Sequence, residues 1–249
     1  MIVGIIPARY ASSRLPGKPL IDLEGQSMIE RVWRTACESS AIDRVIIATD
    51  NECIVAEAQR IGAEFVLTSP DEPSGTDRCY AAIRTLKLSP DVIVNIQGDE
   101  PLLHHNVLTV CIDALRSTRA DVATPIALIK SAHELTDLNV VKVARAESGR
   151  ALYFSRSPIP HHRGVEVADW IADVPYWKHI GLYAYTADAL QRHILLQPSP
   201  LERIEHLEQL RLLENGALIT CVETQYDGLS VDTAEDAERV RAVLRASNH

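Results

Sequence analysis

The first 21 residues carry three positive charges, Arg9, Arg14 and Lys18, and no acid, in a chain of 249 residues whose formal net charge is −9. They follow an apolar run, Ile2 to Ile6, and share their segment with Pro7, Pro16, Gly17 and Pro19. A strand that runs into a rigid, basic, glycine-containing loop suits a polyanion such as a nucleoside triphosphate. Open α/β sheets bind ligands beyond the carboxyl ends of their strands, where this loop would lie if Ile2–Ile6 is a central strand. The plainer reading is a surface loop with scattered cations, although surface loops usually mix signs.

Three more segments could do chemistry. The apolar run Val92–Ile96 delivers Gln97, Gly98, Asp99 and Glu100 at its carboxyl end. An amide could read a base, glycine permits close approach, and a carboxylate could hold Mg²⁺ bridging phosphates. The same residues could equally form a turn, with Asp99 capping the helix after Pro101. Ser74-Gly75-Thr76-Asp77 reads as a capping box, and a helix N-terminus rich in small residues also suits a base or phosphate. Thr233 with Asp236 is another capping box, which leaves Asp232 free of that duty and able to bind metal.

Other familiar sites are missing. No G-x-G-x-x-G follows a strand, Lys18 is followed by Pro19 and so makes no P-loop, and neither G-x-S-x-G nor H-E-x-x-H occurs. The pairs His104-His105 and His161-His162 have no partners at zinc spacing. Five scattered cysteines, with no C-x-x-C, fit reduced thiols, several of them buried as small hydrophobes. The acidic balance argues against nucleic acid and anionic membranes as partners. Ile2–Ile6 is too short for a signal sequence, and no apolar run approaches about 20 residues. A cytoplasmic protein is expected.

The elements that must position these segments alternate. Ser27 with Glu30 opens a helical stripe of Ile29, Val32, Trp33, Ala36 and Cys37. Val45–Ala48 reads as a strand, a helix follows to Gly62, Glu64–Leu67 is a strand and Ser74–Leu88 a helix. This rhythm implies a mostly parallel sheet with helices on both faces. Beyond it we expect a helix over 106–116 and strands at Val122–Ile126, Val140–Ala144, Ala151–Phe154 and Ile180–Tyr185. Ser157–Trp177 reads as irregular. Ser199-Pro200-Leu201-Glu202 starts a helix that runs to Glu214, before a strand at Ala217–Glu223 and a last helix near Thr233. The expectation is one α/β domain, 1–249, with an inserted lobe near 125–185.

The segments PARYASSRLPGKPL (7–20), SGTDR (74–78), VNIQGDEP (94–101), ALYFSRSPIP (151–160), KHIGLYAY (178–185), QPSPLERIEHLEQLR (197–211) and VDTAED (231–236) together resemble the 3-deoxy-D-manno-octulosonate (KDO) cytidylyltransferases. The resemblance spans residue 2 to about 245. The related sialic-acid synthetases have a differently built lysine loop. One departure follows Ile159-Pro160, where the family usually carries an aromatic and this chain has His161 and His162.

The resemblance implies a nucleotide-diphospho-sugar-transferase-like fold, a homodimer, Mg²⁺ dependence, and the reaction of CTP with KDO for lipopolysaccharide synthesis. It implies that Arg9, Ser12, Arg14 and Lys18 hold the triphosphate, with Lys18, Asp99 and Arg14 as catalytic residues. Gln97 with Ser74 and Gly75 would read cytosine, and Arg78 joins the nucleotide-binding set. Asp99 and Asp232 would ligate Mg²⁺, and Arg156, His179, Tyr183, Glu208 and Gln209 would bind the sugar acid. An 8-amino analogue of KDO is the alternative acceptor. A catalytically silent binding regulator is the alternative function, although it would have to have lost Lys18, Asp99 or Asp232. A glycosyltransferase would use D-x-D, which Gly98-Asp99-Glu100 does not supply.

Overall fold

The computed structural model describes residues 1–11 and 15–247, so the expected phosphate ligands Ser12 and Arg14 lie outside the described residues. In chain order the elements begin β1 (Ile2–Ala8), α1 (Met28–Glu38), β2 (Arg44–Thr49), α2 (Glu52–Ile61), β3 (Glu64–Leu67), α3 (Gly75–Thr85), β4 (Val92–Asn95) and α4 (His105–Ser117). They continue β5 (Val122–Leu128), α5 (Ala132–Thr136), β6 (Lys142–Arg145), β7 (Ala151–Ser155), α6 (Trp170–Asp173), β8 (Trp177–His179) and β9 (Tyr183–Thr186). The rest are α7 (Ala187–Leu195), α8 (Pro200–Glu205), α9 (Gln209–Glu214), β10 (Ile219–Glu223) and α10 (Ala234–Ser247). The chain forms two compact units, Met1–Thr109 together with the segment from Gly228, and Val110–Asp227.

In the first unit the strand order is β3-β2-β1-β4, all parallel. The strands are apolar because they are covered by helices: Val3, Ile5, Ile6, Ile46, Ile47, Ile93 and Val94 are buried. With right-handed crossovers, winding outward from β1 to β3 and then back to β4 puts a switch point between β1 and β4. Both segments with expected chemistry leave the carboxyl ends of these two strands. The helix ends follow their residues: Ser27, Asn51 and Ser74 accept from backbone N–H groups at N-caps, and Gly62 closes α2 in the left-handed region. Glu30 does not complete a box with Ser27, because its carboxylate binds Arg34 and Arg60 instead.

The second unit is largely antiparallel and wider than the 125–185 lobe expected. β5 pairs antiparallel with β8 and β9 and parallel with β10, while β6 pairs with β7 and β8. The expected strand Ile180–Tyr185 is really the second part of a broken one, because β8 ends at His179 and β9 starts at Tyr183. Opposite the break stands Pro125, whose carbonyl accepts from Ile180 N but which has no N–H to return. The Thr124 hydroxyl instead reaches the carbonyls of Leu182 at 2.7 Å and Ile180 at 3.3 Å.

The single helix expected from Ser199 to Glu214 is also two helices, parted at His206 in the left-handed region (φ 53°). Its start is as expected, a capping box of Ser199 and Glu202 with proline in the first turn. The stretch expected to be irregular contains α6, and both α5 and α7 went unread. Trp170 and Tyr176 pack with Ile129 and Leu135, and His161 meets Trp170 edge-on at 5.1 Å. That imidazole packs against an aromatic core. Cys79, Cys111 and Cys221 are buried, and burial lifts the Cys111 and Cys221 thiols far out of the reactive range.

Candidate functional site

In the first unit, Pro7 at the end of β1 is the point on which two expected ligand segments converge. A Cβ at Gly75 would stand 3.3 Å from the Pro7 ring, and one at Gly98 would stand 3.2 Å from the Pro7 carbonyl oxygen. Both glycines therefore let the loops close on β1, a reason for glycine that precedes any ligand. The loop after β1 is tied by Gly17 N donating to Tyr10 O, and Gly17 has φ 68° with the Tyr10 ring against it. A short 3-10 turn, Lys18–Leu20, then aims Lys18 back at the sheet edge.

The Lys18 ammonium donates to Asp99 Oδ2 at 2.8 Å and to Asp232 Oδ1 at 2.9 Å. Three residues far apart in sequence thus share one charge cluster. Val231 N donates to Asp99 O, and Val231 is buried with Leu23, Met28, Ala237 and Val240, which fixes Asp232 beside Asp99. Asp236 carries the cap of α10: its Oδ2 accepts from Asp232 N and Thr233 N, while Thr233 Oγ1 accepts from Asp236 N. The Asp232 carboxylate is therefore not the cap. Burial alone would lower the Lys18 pKa, but Asp99 and then Asp232 outweigh it and hold the ammonium above its ordinary value. Among the described residues, no group of three or more His, Cys, Asp or Glu side chains gathers as a metal cage.

The other expected nucleotide residues have mixed placements. Arg9 is exposed. Gln97 reaches Asn95 Oδ1 at 3.5 Å, and the buried Asn95 donates to Thr76. Ser74 spends its hydroxyl on the cap, accepting from Asp77 N and donating to Asp77 Oδ2. Arg78 faces inward, only 3% exposed, on Asp50 at 2.9 Å and Thr68 Oγ1 at 2.6 Å. Asp50 in turn accepts from Tyr10 N, so Arg78 supports the basic loop from behind. Asp50 was not singled out by sequence, since a strand-end acid before a helix reads as a cap.

All five expected sugar-acid residues belong to the second unit. The Thr124 hydroxyl gives its proton to Leu182 O, so it accepts from His179 Nε2–H at 2.9 Å, which leaves Nδ1 as the acceptor. His179 lies between Phe154, edge-on at 5.3 Å, and Tyr183 at 5.2 Å. The two residues expected on one strand face stand on two strands, yet their rings meet. Burial pushes the His179 pKa down to about 3, so the ring is neutral at pH 7. Burial also lifts Tyr183 well above its ordinary value, with Tyr185 and the nearby Glu208 carboxylate adding to the rise.

Gln209 is 5% exposed, and its side-chain nitrogen has no hydrogen-bond partner among the described residues. A buried amide donor left open costs about 1–3 kcal/mol, so an acceptor brought by a ligand would be favoured there. Arg156 donates through Nε to Glu205 O at 2.8 Å, through Nη1 to Leu138 O at 3.0 Å and through Nη2 to His206 O at 3.4 Å. Two of its five N–H groups remain for a carboxylate. Lys142, wholly buried, donates to Asp137 O and Val140 O, which brackets Leu138. Sequence reasoning passed over Lys142, Thr124 and Glu205, although a lysine inside an apolar strand was a visible signal.

A family model described as cytidylyltransferase matches residues 3–220. The 3-deoxy-manno-octulosonate cytidylyltransferase of Syntrophobacter fumaroxidans is 46% identical over 98% of this chain and 96% of its own. That of Chlorobaculum tepidum is 45% identical over 97% of this chain and 96% of its own. A solved structure of CMP:2-keto-3-deoxy-manno-octonic acid synthetase complexed with CTP superposes with a TM-score of 0.92 at 38% identity, covering 99% of both chains. The 4-diphosphocytidyl-2C-methyl-D-erythritol synthase of Anaerococcus prevotii, at 16% identity and a TM-score of 0.63 over 98% of each chain, shares the fold.

Proposed function

The chain belongs to the cytidylyltransferase family, and from that premise we propose that it joins CTP to KDO, forming CMP-KDO and diphosphate for lipopolysaccharide assembly. The observation that carries the reading is the Lys18 ammonium seated on Asp99 and Asp232. It sets one cation and two hard-oxygen donors beside the carboxyl ends of β1 and β4.

The anomeric hydroxyl of KDO attacks the α-phosphorus of CTP, loses its proton, and the bond to diphosphate breaks. Little covalent work falls to the protein, so positioning and neutralisation of phosphate charge do most of it. Arg9 and Lys18, with Ser12 and Arg14, hold the triphosphate, and Lys18 meets the charge that grows on the departing diphosphate. Gln97 and the start of α3 read cytosine. The two free N–H groups of Arg156 take the sugar carboxylate, while His179 Nδ1, Glu208 and Gln209 take hydroxyls.

Asp99 and Asp232 fit Mg²⁺: they already converge on one cation, and Mg²⁺ favours one or two carboxylates completed by phosphate oxygens and water. Bound there, the ion would polarise the α-phosphate and acidify the attacking hydroxyl. A homodimer and a cytoplasmic location belong to the same reading, and light scattering tests the first.

The test is a diphosphate-release assay that crosses CTP, UTP, ATP and GTP with KDO, its 8-amino analogue and a sialic acid. Release with CTP and KDO above all other pairs is expected. Preference for the 8-amino analogue changes the acceptor alone, and no release with any pair overturns the enzyme.

A further inference from the structure

The turn between α8 and α9 leads into Glu208 and Gln209. His206 adopts the left-handed region without being glycine, and Glu208 at the start of α9 makes no side-chain cap. Arg156 and Glu205 tie this turn to the strand side.

The two residues hold each other in both directions. The Arg156 guanidinium satisfies the carbonyls of Glu205 and His206, which end α8 and lack helical partners. The Glu205 carboxylate returns to the strand, accepting from Arg156 N at 2.9 Å through Oε2 and from Ser155 Oγ at 2.6 Å through Oε1. The Glu205 charge also reaches Tyr153, whose pKa is raised by burial first and by that carboxylate second. One carboxylate thereby pins two residues, Ser155 at the end of β7 and Arg156 just past it, while the arginine it pins secures the turn.

We propose that Glu205 is a positioning residue of the sugar-acid pocket, holding Arg156 against the α8–α9 turn so that the remaining N–H pair of Arg156 and the side chains of Glu208 and Gln209 address one ligand. Glu205 itself touches no substrate. The inference rests on the sugar-acid reading above. It separates two roles of Arg156, because the scaffold role can be disturbed while the arginine stays in place.

The experiment is steady-state kinetics of the full chain with CTP and KDO. Glu205→Ala should raise KM for KDO about tenfold, the effect of losing one charge-assisted hydrogen bond, and leave KM for CTP within about twofold. Glu205→Gln keeps an oxygen for Arg156 N and can donate to Ser155 Oγ, so it should bring KM for KDO back toward wild type. Should Glu205→Ala not fold, Ser155→Ala strips the carboxylate of its hydroxyl donor and should give the same split in weaker form. Unchanged KM for KDO, or an equal rise in both KM values, overturns the positioning role. A wild-type chain that releases no diphosphate from CTP and KDO overturns the sugar-acid reading and this inference with it.

Discussion

Lys18 Nζ lies 2.8 Å from Asp99 Oδ2, so the basic loop and the end of β4 are joined by an ion pair before any ligand arrives. The same ammonium is on Asp232, which makes Lys18 a rival of any divalent cation for those carboxylates. Removing it exposes two like charges that a metal can then neutralise. Lys18→Met should therefore bind Mn²⁺ more tightly than wild type without nucleotide, about tenfold for 1.4 kcal/mol of removed competition, by electron paramagnetic resonance titration. Equal or weaker Mn²⁺ binding would count against a shared site. Because the folded pKa of Lys18 is raised, its pairing is complete below its ordinary value of 10.5 and lost only as pH climbs past the folded value. Between pH 6 and 9 the clamp should not titrate.

The same lysine predicts an asymmetry between nucleotides. Lys18→Ala should damage both kcat and KM with CTP, because the lysine meets charge that develops on the leaving diphosphate. CMP, which lacks the β- and γ-phosphates, should bind the mutant as it binds wild type. Equal weakening of CMP and CTP would move Lys18 to the base or ribose side.

Asp99→Asn keeps the shape of the residue and removes its charge. Turnover should fall on the order of 10²–10³-fold, the usual cost of one preorganised electrostatic contact, while circular dichroism stays that of the wild type. Near-normal turnover at low Mg²⁺ would remove Asp99 from the metal.

Much of the first unit was legible in the chain because its strands are continuous apolar runs between clear caps. The basic loop was legible there too, as three cations without an acid after the first strand, whereas Asp99 could equally be read as a turn or cap residue and Asp232 carried little signal until the resemblance singled both out. The second unit hid its breaks. Gly181 was the one local sign of the strand break and His206 gives none for the helix break; both are set by tertiary contacts, Pro125 and Thr124 on the residues around Gly181, and Arg156 on the carbonyls of Glu205 and His206. Arg78 shows the same limit. Its motif names it, but only the Asp50 carboxylate beside it shows which way it faces.

His179 gives a pH prediction with a definite sign. Its folded pKa of about 3 lies below the ordinary 6.5, so the unfolded chain takes up a proton that the folded ring refuses. This residue therefore subtracts stability as pH falls below about 6.5, and the loss levels off near 3. KM for KDO should accordingly show no histidine ionisation between pH 5 and 8, and an NMR titration should find the His179 ring unprotonated at pH 5. A ring that titrates near 6.5 would refute the buried, neutral acceptor at Nδ1.

Arg156 supplies the last prediction, and the lysine variant is the informative one. The guanidinium spends three N–H groups on the carbonyls of Glu205, Leu138 and His206, and a planar fork is the shape that can do this while keeping a parallel pair for a carboxylate. A lysine carries the same charge but only three donors on one atom, so it can satisfy the carbonyls or the ligand and not both. Arg156→Lys should therefore raise KM for KDO nearly as far as Arg156→Ala, by at least about tenfold, with KM for CTP little changed. Both variants should also lower the urea midpoint, because the carbonyls that end α8 lose their partner. If lysine restores KM for KDO, a point charge is all the pocket asks of this position. If KM for KDO stays unchanged in both variants while the urea midpoint falls, Arg156 is scaffold alone and the sugar carboxylate is held elsewhere.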